Sequence, residues 1–185
     1  MKRCVPQNLL FNDNFDDGDA VGWAFENTLG PPLNVGNWRV EGEVLVQDSG
    51  FDGVLALVSG LQASSQTTEA RLKLNGPSGG GGIVVWFQDT SNFVYIVLSN
   101  GQFEVAEVIS GVWTSVLHGY VFNVNENRWV DLKIVANASS GDLSVFADDS
   151  FLFTDHLTTT NRVGLSGLVH GNAGGYFDDF ILTIN

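Results

Sequence analysis

Residues 79–111 read GGGGIVVWFQDTSNFVYIVLSNGQFEVAEVISG, and the spacing of turn formers in this run decides the fold class. After the glycines comes an apolar segment, 83–88, closed by Asp89-Thr90-Ser91-Asn92, all good turn residues. A second apolar segment, 93–99, ends at Asn100-Gly101, where both residues tolerate positive φ, as a tight hairpin requires. A third, 102–109, ends at Ser110-Gly111. Three short apolar segments separated by two to four turn residues predict an antiparallel meander.

The same grammar extends in both directions. Downstream, segments 112–117, 128–136, 143–147, 151–154, 163–168 and 176–184 alternate with turn clusters such as Ser139-Ser140-Gly141-Asp142 and Asp148-Asp149-Ser150. Val130, Leu132 and Ile134 alternate with Asp131 and Lys133, the period of a half-buried strand. Upstream, 38–47, 53–58 and 67–74 read as strands. About twelve strands spaced near ten residues predict an all-β sandwich or barrel. The 22 glycines against 4 prolines suit many tight turns and leave no place for long helices. A length of 185 residues fits one domain, read as 10–185 after an N-terminal tail over 1–9.

Charge narrows the partners. Eight basic residues face 21 acidic ones, a net charge of -13, and the basic residues are scattered along the chain. Nucleic-acid binding by counterion release needs clustered Lys and Arg, so that class is excluded. No apolar window is long enough for membrane insertion. Cys4 is the only cysteine, which excludes an intrachain disulfide. The opening MKRCVPQNLL has no apolar stretch of signal-peptide length. With no visible leader, the acidic chain is expected on an extracellular or virion surface.

Four segments in order resemble the concanavalin A-like lectin/glucanase superfamily, in the form of its laminin G-like jelly rolls. They are Leu10-Phe11-Asn12-Asp13-Asn14-Phe15-Asp16-Asp17-Gly18 with Trp23, Asn37-Trp38-Arg39-Val40-Glu41-Gly42, Gly82 to Asp89 with Asn92-Phe93-Val94-Tyr95, and Gly175-Tyr176-Phe177-Asp178-Asp179-Phe180. The resemblance implies a two-sheet antiparallel jelly-roll sandwich whose last strand returns beside the first. The acidic clusters at the two ends of the chain would then converge. On that basis Asp13 and Asp178 are the preferred ligands of a structural calcium ion, with Asp48 a third, because calcium takes carboxylate and carbonyl oxygens. Strict alternation puts Asp178 on the side of Phe180 and Leu182, toward the core, where a carboxylate needs a partner.

Trp86 shares parity with Val84 and Gln88, and the family often carries a polar residue at the matching position, which places its ring on a sheet face. Tyr95 and Trp113 would extend an aromatic platform for sugar rings, with Asp89 and Asn92 at the rim. Trp23, Trp38 and Trp129 read as core. Glycoside hydrolysis needs two carboxylates flanking one bond. The Glu-x-Asp-x-x-Glu strand of glycanases resembling this fold is absent, and Glu104, Glu107, Glu41 and Glu43 read as solvated. His118, His156 and His170 lie in apparent loops with no metal spacing. The expected function is therefore a non-catalytic carbohydrate-binding or adhesion module carrying calcium. The alternatives are a structural subunit, such as a virion decoration or appendage protein that self-associates or docks on a larger assembly, and, third, a glycoside-acting enzyme.

Overall fold

A computed structural model describes residues 8–28, 35–49, 53–74, 79–119, 128–171 and 174–185, with no helix among them. Residues 1–7 of the expected tail lie outside the described residues. The strands in chain order are β1 (Leu9–Asp13), β2 (Trp23–Asn27), β3 (Trp38–Val40), β4 (Leu45–Gln47), β5 (Val54–Val58), β6 (Gln66–Leu74), β7 (Gly80–Asp89) and β8 (Asn92–Ser99). They continue with β9 (Gln102–Ile109), β10 (Val112–His118), β11 (Val130–Ala136), β12 (Asp142–Ala147), β13 (Ser150–His156), β14 (Leu165–Gly171) and β15 (Gly175–Ile184).

All pairings between these strands are antiparallel and form two sheets. One runs β13-β12-β11-β6-β15-β4-β3, with β1 also paired to β15; the other runs β10-β9-β8-β7-β14-β5-β2. The expected meander is present as β7 to β10, and the closing strand lies beside the first, with Asp13 opposite Phe180. The expected single strand over 38–47 is instead the hairpin β3–β4, because Gly42 and Glu43 take φ values of 61° and 64° and turn the chain. Between the sheets, Leu72, Leu132 and Phe177 meet Ile83, Ile96 and Leu168, each at 1% exposure or less. Every such side chain contributes about 1.5–3 kcal/mol relative to an exposed one.

Two β-bulges overturn the alternation expected near the candidate residues. In β7 the register slips between Val85 and Asp89, and Trp86 takes a φ of 52°. One extra residue reverses the side on which the following side chains emerge. Val85 and Trp86 therefore both enter the main core, while Phe87 leaves it for a second apolar cluster on the opposite face. Trp86 is 1% exposed and its Nε1 donates to the Ser64 carbonyl at 2.7 Å, so it is a packing residue and not a sheet-face platform.

In β15 the register slips between Asp178 and Ile181, with Asp179 at a φ of 48°. Phe177, Phe180 and Leu182 all face the core as a result, and Asp178 sits on the other side, 3.3 Å from Arg71 Nη1. It does not point inward as strict parity predicts. Burial pushes its carboxyl above the ordinary value of 3.8. The nearby Asp179 and Asp16 charges add to that rise, against the Asp179 N–H bond and Arg71, which lower it.

Other expectations are corrected by packing. Trp129 is not in the core: it lies under the Arg71 guanidinium at 5.0 Å and the Lys73 ammonium at 5.3 Å. Glu107 is 8% exposed, not solvated, and its carboxylate accepts from the backbone N–H groups of Thr158 and Thr159 at 2.9 and 2.7 Å. The histidines end or occupy strands, and His170 is fully buried in β14.

Replacing Trp86 with Ala is expected to lower unfolding free energy by about 3–5 kcal/mol, read from urea denaturation; a loss under about 1 kcal/mol would remove the indole from the core. Asp178→Asn tests the other bulge. A carboxyl whose folded pKa is raised favours folding below its ordinary value and loses that contribution as pH climbs through the folded value. The variant is therefore expected to melt higher than wild type at neutral pH, with the gain fading on acidification toward 3.8. A lower melting temperature at neutral pH would mean that the Arg71 pairing outweighs burial.

Candidate functional site

Cross-strand register defines what stands on the face of the seven-stranded sheet that points away from the main core, since paired residues in an antiparallel ladder share a face. One row reads Trp113, Val108, Phe93. The next reads Ser115, Ala106, Tyr95, Val84, Gly167, and the third Leu117, Glu104, Val97, Gly82. Phe87, Phe93, Val84 and Val108 form a separate apolar cluster there, and Tyr95 and Val97 pack against it.

The result is an aromatic surface. Trp113 is 48% exposed, and its ring lies 5.8 Å from Tyr95 and 5.6 Å edge-on to Phe93. Phe93 in turn contacts Phe87 at 5.8 Å and Tyr95 at 6.2 Å. Such contacts orient the rings by their quadrupoles and hold them without a ligand. Further along these rows, a Cβ on Gly82 would lie 1.8 Å from the Ile96 carbonyl oxygen, and one on Gly167 2.0 Å from that of Ala56, so neither position admits a side chain. Ser115 and Glu104 add a hydroxyl and a carboxylate to the same face. The structure therefore brings Tyr95 and Trp113 together, as expected, and takes Trp86 away.

Asp89 and Asn92 stand at one end of this face as a brace. The Asn92 amide donates to both Asp89 oxygens at 3.0 and 3.2 Å, Asp89 also accepts from the Ser91 N–H at 2.7 Å, and Asn92 Oδ1 accepts from the Ser110 N–H at 3.0 Å. These bonds tie the β7–β8 turn to the β9–β10 turn and so position Trp113. Phe87 and Phe93, 6% and 3% exposed, form the buried support of these rings and were not among the expected site residues. The Phe93, Tyr95, Val97 alternation was a visible signal for one of them; the bulge that turns Phe87 outward left none.

The carboxylates chosen for calcium do not assemble. Asp13 accepts from the Phe15 N–H at 2.8 Å and from Trp23 Nε1 at 2.7 Å, fastening the first turn to the core. Asp48 is bonded by the Asn37 amide at 2.6 Å and by Arg39 at 2.8 Å, donors that hold it below the usual carboxylate range. Asp178 is paired with Arg71. Among the described residues, no group of three or more His, Cys, Asp or Glu side chains is placed to hold a metal. Asp48 instead lines a cavity of about 360 Å³ on the other sheet with Arg39, Glu41 and Tyr176, where the guanidinium is held between the two carboxylates.

No protein-family model matches the chain, and no curated protein matches it in sequence. Among solved structures, the carbohydrate-binding module CBM66 from Bacillus subtilis is similar at a TM-score of 0.73 and 18% identity, covering 88% of this chain and 95% of that one. The endo-β-1,3-glucanase from Pyrococcus furiosus is similar at 0.65 and 12% identity, covering 94% of this chain and 93% of that one. The GH43 protein BlXynB from Bacillus licheniformis gives 0.67 and 14% identity over 100% of this chain, which spans 40% of that protein. At these identities the likeness is one of fold, and that fold is a two-sheet antiparallel jelly-roll sandwich.

Proposed function

We propose that this protein is a non-catalytic glycan-binding module whose ligand lies across Trp113 and Tyr95. The observation that carries the reading is the half-exposed Trp113 ring, held against Tyr95 and Phe93. Sugar rings have apolar C–H faces that stack on such rings, and their hydroxyls suit Ser115 and Glu104 on the same face. Similarity in fold to CBM66, a carbohydrate-binding module, supports the same class.

Charge geometry argues against hydrolysis on this face. Hydrolysis needs two carboxyl groups about 5 to 10 Å apart. Glu104 and Glu26 occupy the same row but sit on β9 and β2, five strands apart, on the order of 20 Å at ordinary strand spacing. Glu107 faces the other side and is occupied by Thr158 and Thr159. A structural or assembly subunit is the second reading, favoured by the exposed edge strand β10.

Titration with a panel of neutral oligosaccharides, read by tryptophan fluorescence, tests the proposal. Trp113→Ala or Tyr95→Ala is expected to weaken binding at least tenfold, about 1.4 kcal/mol, with cooperative unfolding retained. A panel without response, or binding that survives Trp113→Ala, sinks it. The reading carries no calcium, because Asp13, Asp48 and Asp178 already have protein donors. Chelator is expected to leave the melting temperature unchanged, whereas a calcium-dependent rise would return these carboxylates to a metal role through binding linkage.

A further inference from the structure

Among the described residues, strand β10 is the last strand of its sheet, paired on one side only. The two-residue turn Ser110-Gly111, with φ values of 51° and 77°, makes Ile109 and Val112 a hydrogen-bonded pair. In an antiparallel ladder such pairs alternate. Val112, Thr114, Val116 and His118 therefore bond to β9, and the N–H and C=O groups of Trp113, Ser115 and Leu117 point outward from the sheet edge.

Proteins usually protect such edges with charge, brevity, bulges or proline. The other edge strands described here follow that practice. β3 has three residues and includes Arg39, and β2 carries Glu26. β1 and β13 both have register shifts, and β13 also carries Asp155 and His156. β10 has none of these devices. It is seven residues long, in unbroken register, and free of proline and carboxylate. Val112, Val116 and Leu117 are 66%, 52% and 66% exposed. Its one titratable side chain, His118, turns away to stack on Phe153 at 3.8 Å and bond Asp155 at 2.8 Å.

We infer that β10 is a self-association edge, joining a second copy of this chain antiparallel about a two-fold axis at Ser115. In that register Trp113 lies opposite Leu117 of the second copy, and all three outward-facing residues on each strand are used, as an isologous contact demands. Charge selects the occupant. A chain at net -13 attracts basic partners, yet this edge offers them no carboxylate. What it fits is an uncharged strand that sets apolar residues opposite Trp113 and Leu117, and in the two-fold register β10 is one. Pairing uses the edge and leaves the ring faces of Trp113 and Tyr95 on the sheet surface, so the inference does not rest on the glycan reading.

Sedimentation velocity over micromolar to near-millimolar concentrations, at low and high sodium chloride, tests it. The wild-type mass is expected to rise about twofold with concentration, and at lower concentration in high salt, because salt screens the repulsion between two acidic chains. Ser115→Pro removes an outward N–H without touching a β9 bond, and is expected to stay monomeric with an unchanged unfolding midpoint. Should that variant misfold, Leu117→Lys, a charge on the edge, gives the same reading. A wild type that is monomeric throughout overturns the inference and leaves the edge to another extended strand. A dimer unaffected by either folded variant overturns it as well. Mass reports the edge and fluorescence reports the platform, so the two proposals fail separately.

Discussion

The long central strands must keep one face dry along their whole length, and in β7 and β15 the chain does so by breaking its own alternation. Each strand has ten residues and crosses the middle of its sheet. Each admits one residue at positive φ, Trp86 in β7 and Asp179 in β15, and resets which side chains face inward. Without the first offset, Phe87 and not Trp86 would face the core. Without the second, Asp178 would share the side of Phe180.

The candidate surface is a product of the same offset. Turning Phe87 outward gives Phe93 a partner, and Phe93 supports the edge of Trp113. The Asp89–Asn92 brace then fixes the tip of the β9–β10 hairpin that carries Trp113. On the opposite sheet the outer face is organised by ion pairs instead: Arg71 reaches Asp131, Asp178 and Asp179, and covers Trp129. One face thus carries aromatic rings and the other a network of ion pairs.

Face and edge of the seven-stranded sheet have separable chemistry. Side chains of Trp113, Ser115 and Leu117 rise from the face, while the backbone of the same residues points along the sheet plane. A ligand on the rings and a strand on the edge need not compete. Two copies joined at β10 would present their aromatic rows side by side, so a glycan-binding face and a self-associating edge would give multivalent attachment.

The all-β class and the β7–β10 meander were legible in the sequence, because turn chemistry and period-two alternation are local properties; the meeting of first and last strands was implied only by the family resemblance. Tyr95 and Trp113 were legible for the same reason: each lies on a strand that keeps its alternation, in unbroken register with β9. Trp86 and Asp178 were misplaced because a bulge depends on what the neighbouring strands require, which parity along one strand does not contain. Glu107 was misread because its donors, Thr158 and Thr159, come from a distant loop. Asp13, Asp48 and Asp178 looked like one group and became three, since each found a donor from a different element: Trp23, Arg39 and Arg71. By itself, then, the sequence determined the strand grammar and the aromatic stock of the chain. Only tertiary structure decided which rings reach solvent and which carboxylates are already paired, because both depend on contacts between residues far apart in the chain.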